Sequence, residues 1–335
     1  MFACPRRRRQ PSAATPPPRA TTPPAVRRGL ATVARMADDG GAAPPAWFTR
    51  ALGDRPDEGE VRVDGCPVRW LAWGDRRRPT LTLVHGGAAN ASWWTFLGPL
   101  LAADYRVVAP HLSGHGDSGR RPAYRVETWA EEVVAVTEAA GGRDGPEAGR
   151  FHLAGHSLGS QVAAVTAVRH VEWVADLVLI DAGVRRRDEA SHSRQRADRA
   201  YRPQPTRAAA LARFRVVPWQ PCANDYLVRH IAEQSVVQAD DGTWGWKFDP
   251  ALFSRTTERH LADYLAALTV PVALVPGQES RVVTPAITAR VLEALGRPVP
   301  VVTIPAAHHH VMLDQPVAFV TALAGILAGW RDRGP

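Results

Sequence analysis

Short apolar runs alternate with stretches of helical pattern between residues 59 and 330, and this alternation limits the possible folds more than any other feature of the chain. We interpret six apolar runs as strands, at residues 81–84, 106–109, 151–154, 177–180, 271–275 and 299–304. Residues 127–140 and 158–170 carry helical patterns between them. Strands and helices in this order predict an α/β fold, with a mostly parallel central sheet flanked by helices.

Two regions depart from this alternation. Residues 61–65 and 68–74 are alternating runs on either side of a glycine turn, which predicts a β-hairpin ahead of the parallel strands. Residues 183–267 separate two strands and read as helical or irregular sequence, so we expect an inserted lid over the strand ends. The predicted core therefore consists of residues 46–182 and 268–335.

The charge is unevenly distributed along the chain. The 335 residues include 41 Lys and Arg against 33 Asp and Glu, a formal net charge of +8. Residues 1–35 hold eight arginines and no acidic residue, so the rest of the chain carries 33 residues of each sign. Because a nucleic-acid-binding domain needs a basic face on the fold itself, we predict no nucleic-acid partner.

Residues 1–45 are rich in Pro, Ala, Thr and Arg, and this composition predicts a disordered tail. No apolar stretch follows the first arginines, which argues against a secretory signal. Two other interpretations stay open: a transit peptide, or a true translation start at Met36, which would leave residues 1–35 untranslated.

The cysteines and the hydropathy pattern bear on the compartment. Cys4, Cys66 and Cys222 are too few and too scattered for a disulfide framework or a zinc site. No run reaches the ~18 apolar residues that a membrane span needs, and residues 317–329 are predicted to form a packed helix. We therefore expect a cytoplasmic protein without a membrane span.

The sequence Gly155-His156-Ser157-Leu158-Gly159 fits the pattern G-x-S-x-G. A predicted strand ends just before it and a predicted helix begins inside it, so the serine lies on a sharp strand-to-helix turn. Such a turn exposes the hydroxyl, and the free amides of the helix N-terminus favour developing negative charge beside it. The motif in this setting predicts a nucleophilic serine, Ser157.

Four motifs follow one another in the order that one enzyme superfamily has. They are His85-Gly86-Gly87, Gly114-His115-Gly116-Asp117-Ser118, Gly155-His156-Ser157-Leu158-Gly159 and His308-His309-His310-Val311-Met312-Leu313-Asp314-Gln315-Pro316. Over roughly residues 60–330 the chain resembles the serine-nucleophile, lid-containing members of the α/β-hydrolase superfamily. The resemblance implies an α/β-hydrolase fold with an inserted helical lid, a small-molecule substrate and no cofactor.

The last motif contains three consecutive histidines. When Asp314 and Pro316 are aligned with the family's pattern, the catalytic histidine falls on His309, and His308 stands where the family usually has Gly. A histidine run could also bind metal. Adjacent residues cannot all converge on one ion, however, and no second cluster of ligands is visible, so we predict no metal site.

The resemblance assigns a role to each catalytic group. Ser157 is the nucleophile, because a hydroxyl attacks a carbonyl once an imidazole takes its proton. His309 supplies that imidazole, first as base and then as acid. The backbone amides of Gly87 and Leu158 form the oxyanion hole.

The acid that orients His309 departs from the family's pattern. Superfamily members commonly carry Asp after the seventh strand, whereas Ser280 stands at that position here. Some members carry the acid after the sixth strand, where this chain has Asp181, and we favour that residue. Glu279, one position from the usual place, is the alternative, and a site without a carboxylate is the third possibility.

Aromatic residues predict an apolar substrate group. We take four tryptophans as candidates for binding it: Trp93, Trp94, Trp219 and Trp246. Carboxylic ester hydrolysis is the expected reaction, and a serine at the elbow argues against the dehalogenases and epoxide hydrolases that use Asp there. A carbon–carbon bond hydrolase, a thioesterase or a lactonase would have the same triad. A ligand receptor with little turnover is the alternative from another class.

Overall fold

The computed structural model describes residues 43–141, 149–184, 202–257 and 261–331. Nearly all of the tail predicted to be disordered, residues 1–45, lies outside the described residues. The strands are β1 (Asp57–Val63), β2 (Cys66–Trp73), β3 (Thr80–Val84), β4 (Arg106–Pro110), β5 (Phe151–His156), β6 (Val174–Ile180), β7 (Val236–Gln238), β8 (Trp244–Trp246) and β9 (Val272–Val275). The helices are α1 (Ala46–Gly53), α2 (Gly98–Leu101), α3 (Val126–Ala139), α4 (Leu158–Arg169), α5 (Arg207–Arg213), α6 (Asp225–Ser235), α7 (Leu252–Arg255), α8 (Ala262–Leu265), α9 (Pro285–Leu295), α10 (Val311–Asp314) and α11 (Pro316–Arg331), with one 3₁₀ turn at Ala91–Trp94.

Seven of these strands form the central sheet, in the order β1-β2-β4-β3-β5-β6-β9. The pairs β1/β2 and β2/β4 are antiparallel, and all pairs from β4 to β9 are parallel. The predicted hairpin is β1/β2, which turns at Asp64 and Gly65, both with positive φ. The prediction of a mostly parallel sheet flanked by helices is confirmed.

Both faces of the sheet are covered, as β6 illustrates. Val178 and Ile180 belong to the apolar cluster that includes the side chains of α11. Leu177 and Leu179, which point the other way along the strand, belong to the cluster that includes α3 and α4. A strand covered on both faces is apolar at most positions, which is why the sequence showed continuous apolar runs.

The predicted strand at residues 299–304 is not a regular strand. Val301 pairs with Leu274 and Ile304 pairs with Gly277, both in parallel, but only as isolated bridges. Pro298, Pro300 and Pro305 lie in or beside this run and lack the amide hydrogen that a continuous ladder requires. The segment therefore extends the sheet edge only at single positions.

The predicted insertion at residues 183–267 contains more regular structure than the sequence indicated. Its described part includes the antiparallel hairpin β7/β8, where we expected helical or irregular sequence. Asp241 and Gly242 form the turn, with Gly242 at φ 80°. The dipeptide Asp-Gly between two short apolar runs is the hairpin signal in this part of the sequence.

Side chains and backbone groups fasten residues 244–257 to the loop that follows β4. The Tyr124 hydroxyl donates to the Asp249 carboxylate at 2.7 Å, and the Asp249 amide donates to the Gly114 carbonyl at 2.8 Å. Lys247 and Asp117 form an ion pair at 2.7 Å. These contacts hold this part of the inserted segment against the loops at the carboxyl ends of the parallel strands.

Candidate active site

The backbone at Ser157 adopts a conformation that few non-glycine residues take, with φ 54° and ψ −116°. The flanking glycines are required by close packing. A Cβ on Gly155 would lie 2.2 Å from the Gly159 carbonyl oxygen, and one on Gly159 would lie 2.3 Å from the Val84 carbonyl oxygen. The turn thus brings β3, β5 and α4 into contact and leaves the serine at the end of the sheet.

Hydrogen bonds connect Ser157, His309 and Asp181, which lie far apart in the sequence. His309 Nε2 lies 3.0 Å from Ser157 Oγ, and His309 Nδ1 lies 2.6 Å from Asp181 Oδ2. Asp181 and His309 are buried, whereas Ser157 is partly exposed. A hydroxyl, an imidazole and a carboxylate in this sequence can activate the serine as a nucleophile.

Asp181 is held in place from three sides. It directly follows β6, and its own backbone has φ 42°. Its Oδ1 accepts a hydrogen bond from the Gly277 amide at 2.9 Å, and its Oδ2 accepts one from the Ser280 hydroxyl at 2.7 Å as well as from His309. Ser280, which stands where the family usually has Asp, therefore donates to Asp181. Asp181 in turn reaches His309 from the end of the neighbouring strand β6.

Glu279, the alternative acid, is placed differently. Its side chain is exposed, and its backbone amide donates to the Ala307 carbonyl at 2.8 Å. The imidazole nitrogen that an acid would orient, Nδ1 of His309, faces Asp181 instead. The geometry thus favours Asp181 over Glu279.

The two residues expected to form the oxyanion hole lie side by side. A Cβ built on Gly87 would lie 3.5 Å from the Leu158 side chain and 3.4 Å from the ring of Phe253, which belongs to the inserted segment. A Cβ on the preceding glycine, Gly86, would lie 3.3 Å from Cβ of Ser157. Because the oxyanion loop contains Gly86 and Gly87, it can lie close to Ser157. The Leu158 side chain and the Phe253 ring place apolar groups beside it.

The inserted segment also fixes the loop that carries His309. The Gln220 side chain accepts a hydrogen bond from the His310 amide at 2.9 Å and donates to Asp314 Oδ2 at 2.9 Å. The same carboxylate oxygen accepts from the His308 amide at 2.6 Å. Sequence reasoning missed Gln220, because no motif marks a residue whose hydrogen-bond partners lie about 90 positions away.

The tryptophans fall into different environments. Trp93 is buried with its ring centroid 5.3 Å from that of His310, and Trp94 is buried in the core, stacked on Phe319 of α11. Trp219 is 70% exposed, and Trp246 is half-buried in the β7/β8 hairpin. The positions of Trp94 in the core and of Trp219 at the surface do not support their predicted contact with substrate.

Three further histidines, in the loops that follow β3 and β4, are buried. His85 donates from Nδ1 to the Gly86 carbonyl at 2.8 Å and accepts from the Leu112 amide at 3.1 Å, so it joins two loops as a neutral ring. Burial lowers the pKa of His111 to about 3 and that of His115 to about 4. These rings are structural groups that stay uncharged at neutral pH.

Protein stability should therefore fall in mild acid. Between the unfolded pKa of about 6.5 and the folded value, the unfolded chain binds more protons, so each such histidine removes about 1.4 kcal/mol per pH unit as the pH falls. We expect the free energy of unfolding, measured with urea, to drop from pH 7 to pH 5. The variant His115→Gln should show a smaller drop than the wild type. Equal drops in the two proteins would contradict this assignment.

The comparisons with known proteins agree with the fold. A mostly parallel sheet with a serine on a strand-to-helix turn defines the class of α/β hydrolases. The model of the alpha/beta hydrolase family matches residues 83–322, and the chain belongs to this family.

The relatives differ in their activities. The chain is 39% identical over 133 residues to the pyrrolizixenacetamide deacetylase of Xenorhabdus hominickii, covering 38% of this chain and 46% of that protein. It is 37% identical over 111 residues to the 2-hydroxymuconate semialdehyde hydrolase of Pseudomonas sp. strain CF600, covering 31% and 37%. A solved membrane phospholipase A is 29% identical with a TM-score of 0.64, covering 91% and 93%. The matches span about a third to a half of the length of most of the curated relatives.

No helix among the described residues is long and apolar enough to cross a membrane.

Proposed function

We propose that the protein is a serine hydrolase that cleaves carboxylic esters through an acyl-enzyme on Ser157. The observation that carries the proposal is the pair of hydrogen bonds at 3.0 Å and 2.6 Å that runs from Ser157 through His309 to Asp181. Such an arrangement makes a weak nucleophile reactive at neutral pH without a metal or an organic cofactor.

Each step uses a group of the chain. His309 Nε2 takes the proton as Ser157 Oγ attacks the ester carbonyl, and Asp181 stabilises the imidazolium. The amides of Gly87 and Leu158 stabilise the oxyanion of the tetrahedral intermediate. His309 then returns the proton to the departing alcohol. Water, activated by the same imidazole, attacks the acyl-enzyme and releases the acid.

The surroundings of the oxyanion loop favour a substrate with an apolar group. The ring of Phe253 and the side chain of Leu158 both lie against Gly87, so the acyl or alcohol group beside the scissile bond meets hydrocarbon. We propose that residues 183–267 act as a lid, because Phe253 from this segment lies at the site and Gln220 holds the histidine loop. The similarity to a phospholipase A, whose substrates are carboxylic esters, supports the same chemistry.

The proposed ester hydrolysis can be tested by labelling of the active-site serine and by burst kinetics. We expect a fluorophosphonate probe to label Ser157, which peptide mass spectrometry identifies. With p-nitrophenyl esters of increasing acyl length we expect turnover, with a burst of one equivalent of p-nitrophenol if deacylation is slow. Absence of labelling and of turnover on every ester would refute the proposal.

A carbon–carbon bond hydrolase is the second candidate, because the chain is similar to a 2-hydroxymuconate semialdehyde hydrolase over part of its length. It would use the same triad to cleave a carbon–carbon bond beside a carbonyl group of its substrate. Turnover of such a substrate with kcat/KM above that of every ester tested would favour it. The receptor hypothesis loses its main argument, because it depended on the missing Asp at Ser280 and the carboxylate of Asp181 reaches His309 instead.

We further propose that Ser280 is a positioning residue for the acid. Its hydroxyl donates to Asp181 Oδ2 and accepts from the Val282 and Val283 amides at 3.2 Å and 3.0 Å, which fixes the direction of the donated hydrogen. In Ser280→Ala we expect kcat to fall about 10-fold, the cost of one net hydrogen bond to a charged group, with KM little changed. Ser280→Thr should recover most of this loss, whereas a change in KM alone would contradict the role.

We also place the protein in the cytoplasm, as the sequence predicts. Cys66 and Cys222 are free thiols in the structure, which agrees with a reducing compartment.

A further inference from the structure

We propose that His156, His309 and His310 form a binding site for a transition-metal ion of the zinc or copper type, and that the bound ion inhibits the enzyme. The inhibitory part rests on the proposed function, because it assumes that His309 is the general base. The binding part rests on the three imidazoles alone. No metal ion enters the catalytic steps proposed above.

The first support is the position of the three rings. One ring nitrogen from each histidine lies within 4.8 Å of the others, and all three side chains are buried. His308, the third member of the consecutive run, turns away and places its Nδ1 3.1 Å from Asp314. The three consecutive histidines therefore do not all converge, as the sequence indicated. His309 and His310 do, and His156 from the nucleophile elbow supplies the third nitrogen.

The second support is the hydrogen bonding of each ring. Imidazoles that ligate a metal almost always donate from their other nitrogen to a carboxylate or a carbonyl oxygen. His309 donates to Asp181 at 2.6 Å, His156 Nε2 donates to the His309 carbonyl at 2.9 Å, and His310 Nε2 donates to the Pro218 carbonyl at 3.2 Å. In each ring the hydrogen bond fixes the tautomer that leaves the second nitrogen with its lone pair.

The third support is an unused nitrogen at the centre of the site. Nδ1 of His310 is buried without a hydrogen-bond partner among the described residues. A buried polar atom without a partner is uncommon in folded proteins, and a bound ion would satisfy it.

The donor set selects the metal. Three imidazole nitrogens suit zinc, copper and nickel and do not suit magnesium or calcium, which prefer oxygen. Tetrahedral ligands at 2.0–2.1 Å from zinc lie about 3.4 Å apart, so the widest pair of nitrogens must close by about 1.4 Å when an ion binds. An ion on Nε2 of His309 occupies the lone pair that must accept the proton of Ser157, and ester hydrolysis stops.

Metal binding can be measured without relying on activity. We would titrate the untagged full-length chain, as wild type and as Ser157→Ala, with zinc sulfate by calorimetry, and with cobalt(II) by its visible absorption. His310→Gln removes the free nitrogen and keeps a donor for the Pro218 carbonyl, while His308→Gln is the matched control beside it. We expect His310→Gln to weaken zinc binding at least ~100-fold, which is more than the loss of a hydrogen-bond partner of a ligand costs. His308→Gln should change the zinc affinity by less than ~3-fold.

Three further results decide the proposal. The X-ray absorption spectrum of the zinc-loaded wild type should show three imidazoles around the ion, a measurement that does not depend on any variant folding. Zinc should inhibit ester hydrolysis reversibly with EDTA, and magnesium should not. Equal zinc affinity in the two glutamine variants, or a first shell with fewer than three imidazoles, would overturn the site.

The outcomes also separate this site from the proposed function. A chain that hydrolyses no ester but binds zinc in a His310-dependent manner would refute the hydrolase and keep the metal site. An active esterase whose zinc binding does not depend on His310 would refute the metal site and keep the hydrolase. Full activity with zinc bound at His310 would refute the inhibition.

Discussion

Replacing Ser157 by Ala is expected to lower kcat for ester hydrolysis by about 10⁶-fold, the loss found when the nucleophile is removed from a serine triad. The oxygen that forms the acyl-enzyme is then absent, and the remaining rate comes from the oxyanion hole and substrate binding. The labelling by a fluorophosphonate probe should disappear together with the activity. Steady-state kinetics with a p-nitrophenyl ester measures the loss.

The control for this variant is another serine of the chain. Ser254 lies in α7, is exposed, and donates to the Ala251 carbonyl at 3.0 Å. Ser254→Ala should retain the wild-type kcat and the wild-type labelling. If Ser157→Ala kept more than about 1% of the wild-type kcat, with its folding confirmed by an unchanged unfolding curve, Ser157 would not be the nucleophile and the acyl-enzyme mechanism would fail.

The nucleophile elbow and the course of the sheet could be predicted from the sequence because local patterns determine them. Gly155 and Gly159 are required by backbone contacts within a few ångströms, and the apolar strand and the helix beside them are adjacent in the chain. The choice of Asp181 came instead from the resemblance to the α/β-hydrolase superfamily, some members of which carry the acid after the sixth strand.

The contacts that fix the histidine loop could not be predicted in this way. Gln220 holds His310 and Asp314 through ordinary hydrogen bonds between distant segments, and glutamine at that position carries no sequence signal. The recruitment of His156 to the His309 and His310 cluster has the same cause, since only the folded chain brings the two loops together. Long-range polar contacts depend on the tertiary structure, which local propensity does not encode.

Two elements of secondary structure differ from the sequence prediction, each for its own reason. The apolar run at residues 299–304 has the composition of a strand, but its flanking and internal prolines reduce it to isolated bridges. The β7/β8 hairpin was missed for the opposite reason, because its strands are three residues each and only Asp241 and Gly242 indicate the turn. The conformation of such short segments is decided by their tertiary contacts.

The second large loss of kcat is expected when Asp181, the proposed acid of the triad, is replaced. Asp181→Asn is expected to lower kcat by about 10⁴-fold, because an amide can donate to Nδ1 of His309 and so stabilise the tautomer whose Nε2 already carries a proton. Such a ring cannot accept the proton of Ser157. The shape of the side chain is retained, as are its contacts through Oδ1 with the Gly277 amide, so the loss is chemical and not one of folding.

Glu279→Gln is the matched control, since it makes the same change from acid to amide in the carboxylate that competes for the role. Its side chain is exposed, and we expect kcat within about 2-fold of the wild type. The ratio of the two losses therefore identifies the acid. A large loss in Glu279→Gln with a small one in Asp181→Asn would reverse the assignment. Equal small losses would mean that the serine is activated without a carboxylate, in which case the buried pair of His309 and Asp181 at 2.6 Å would have only a structural role.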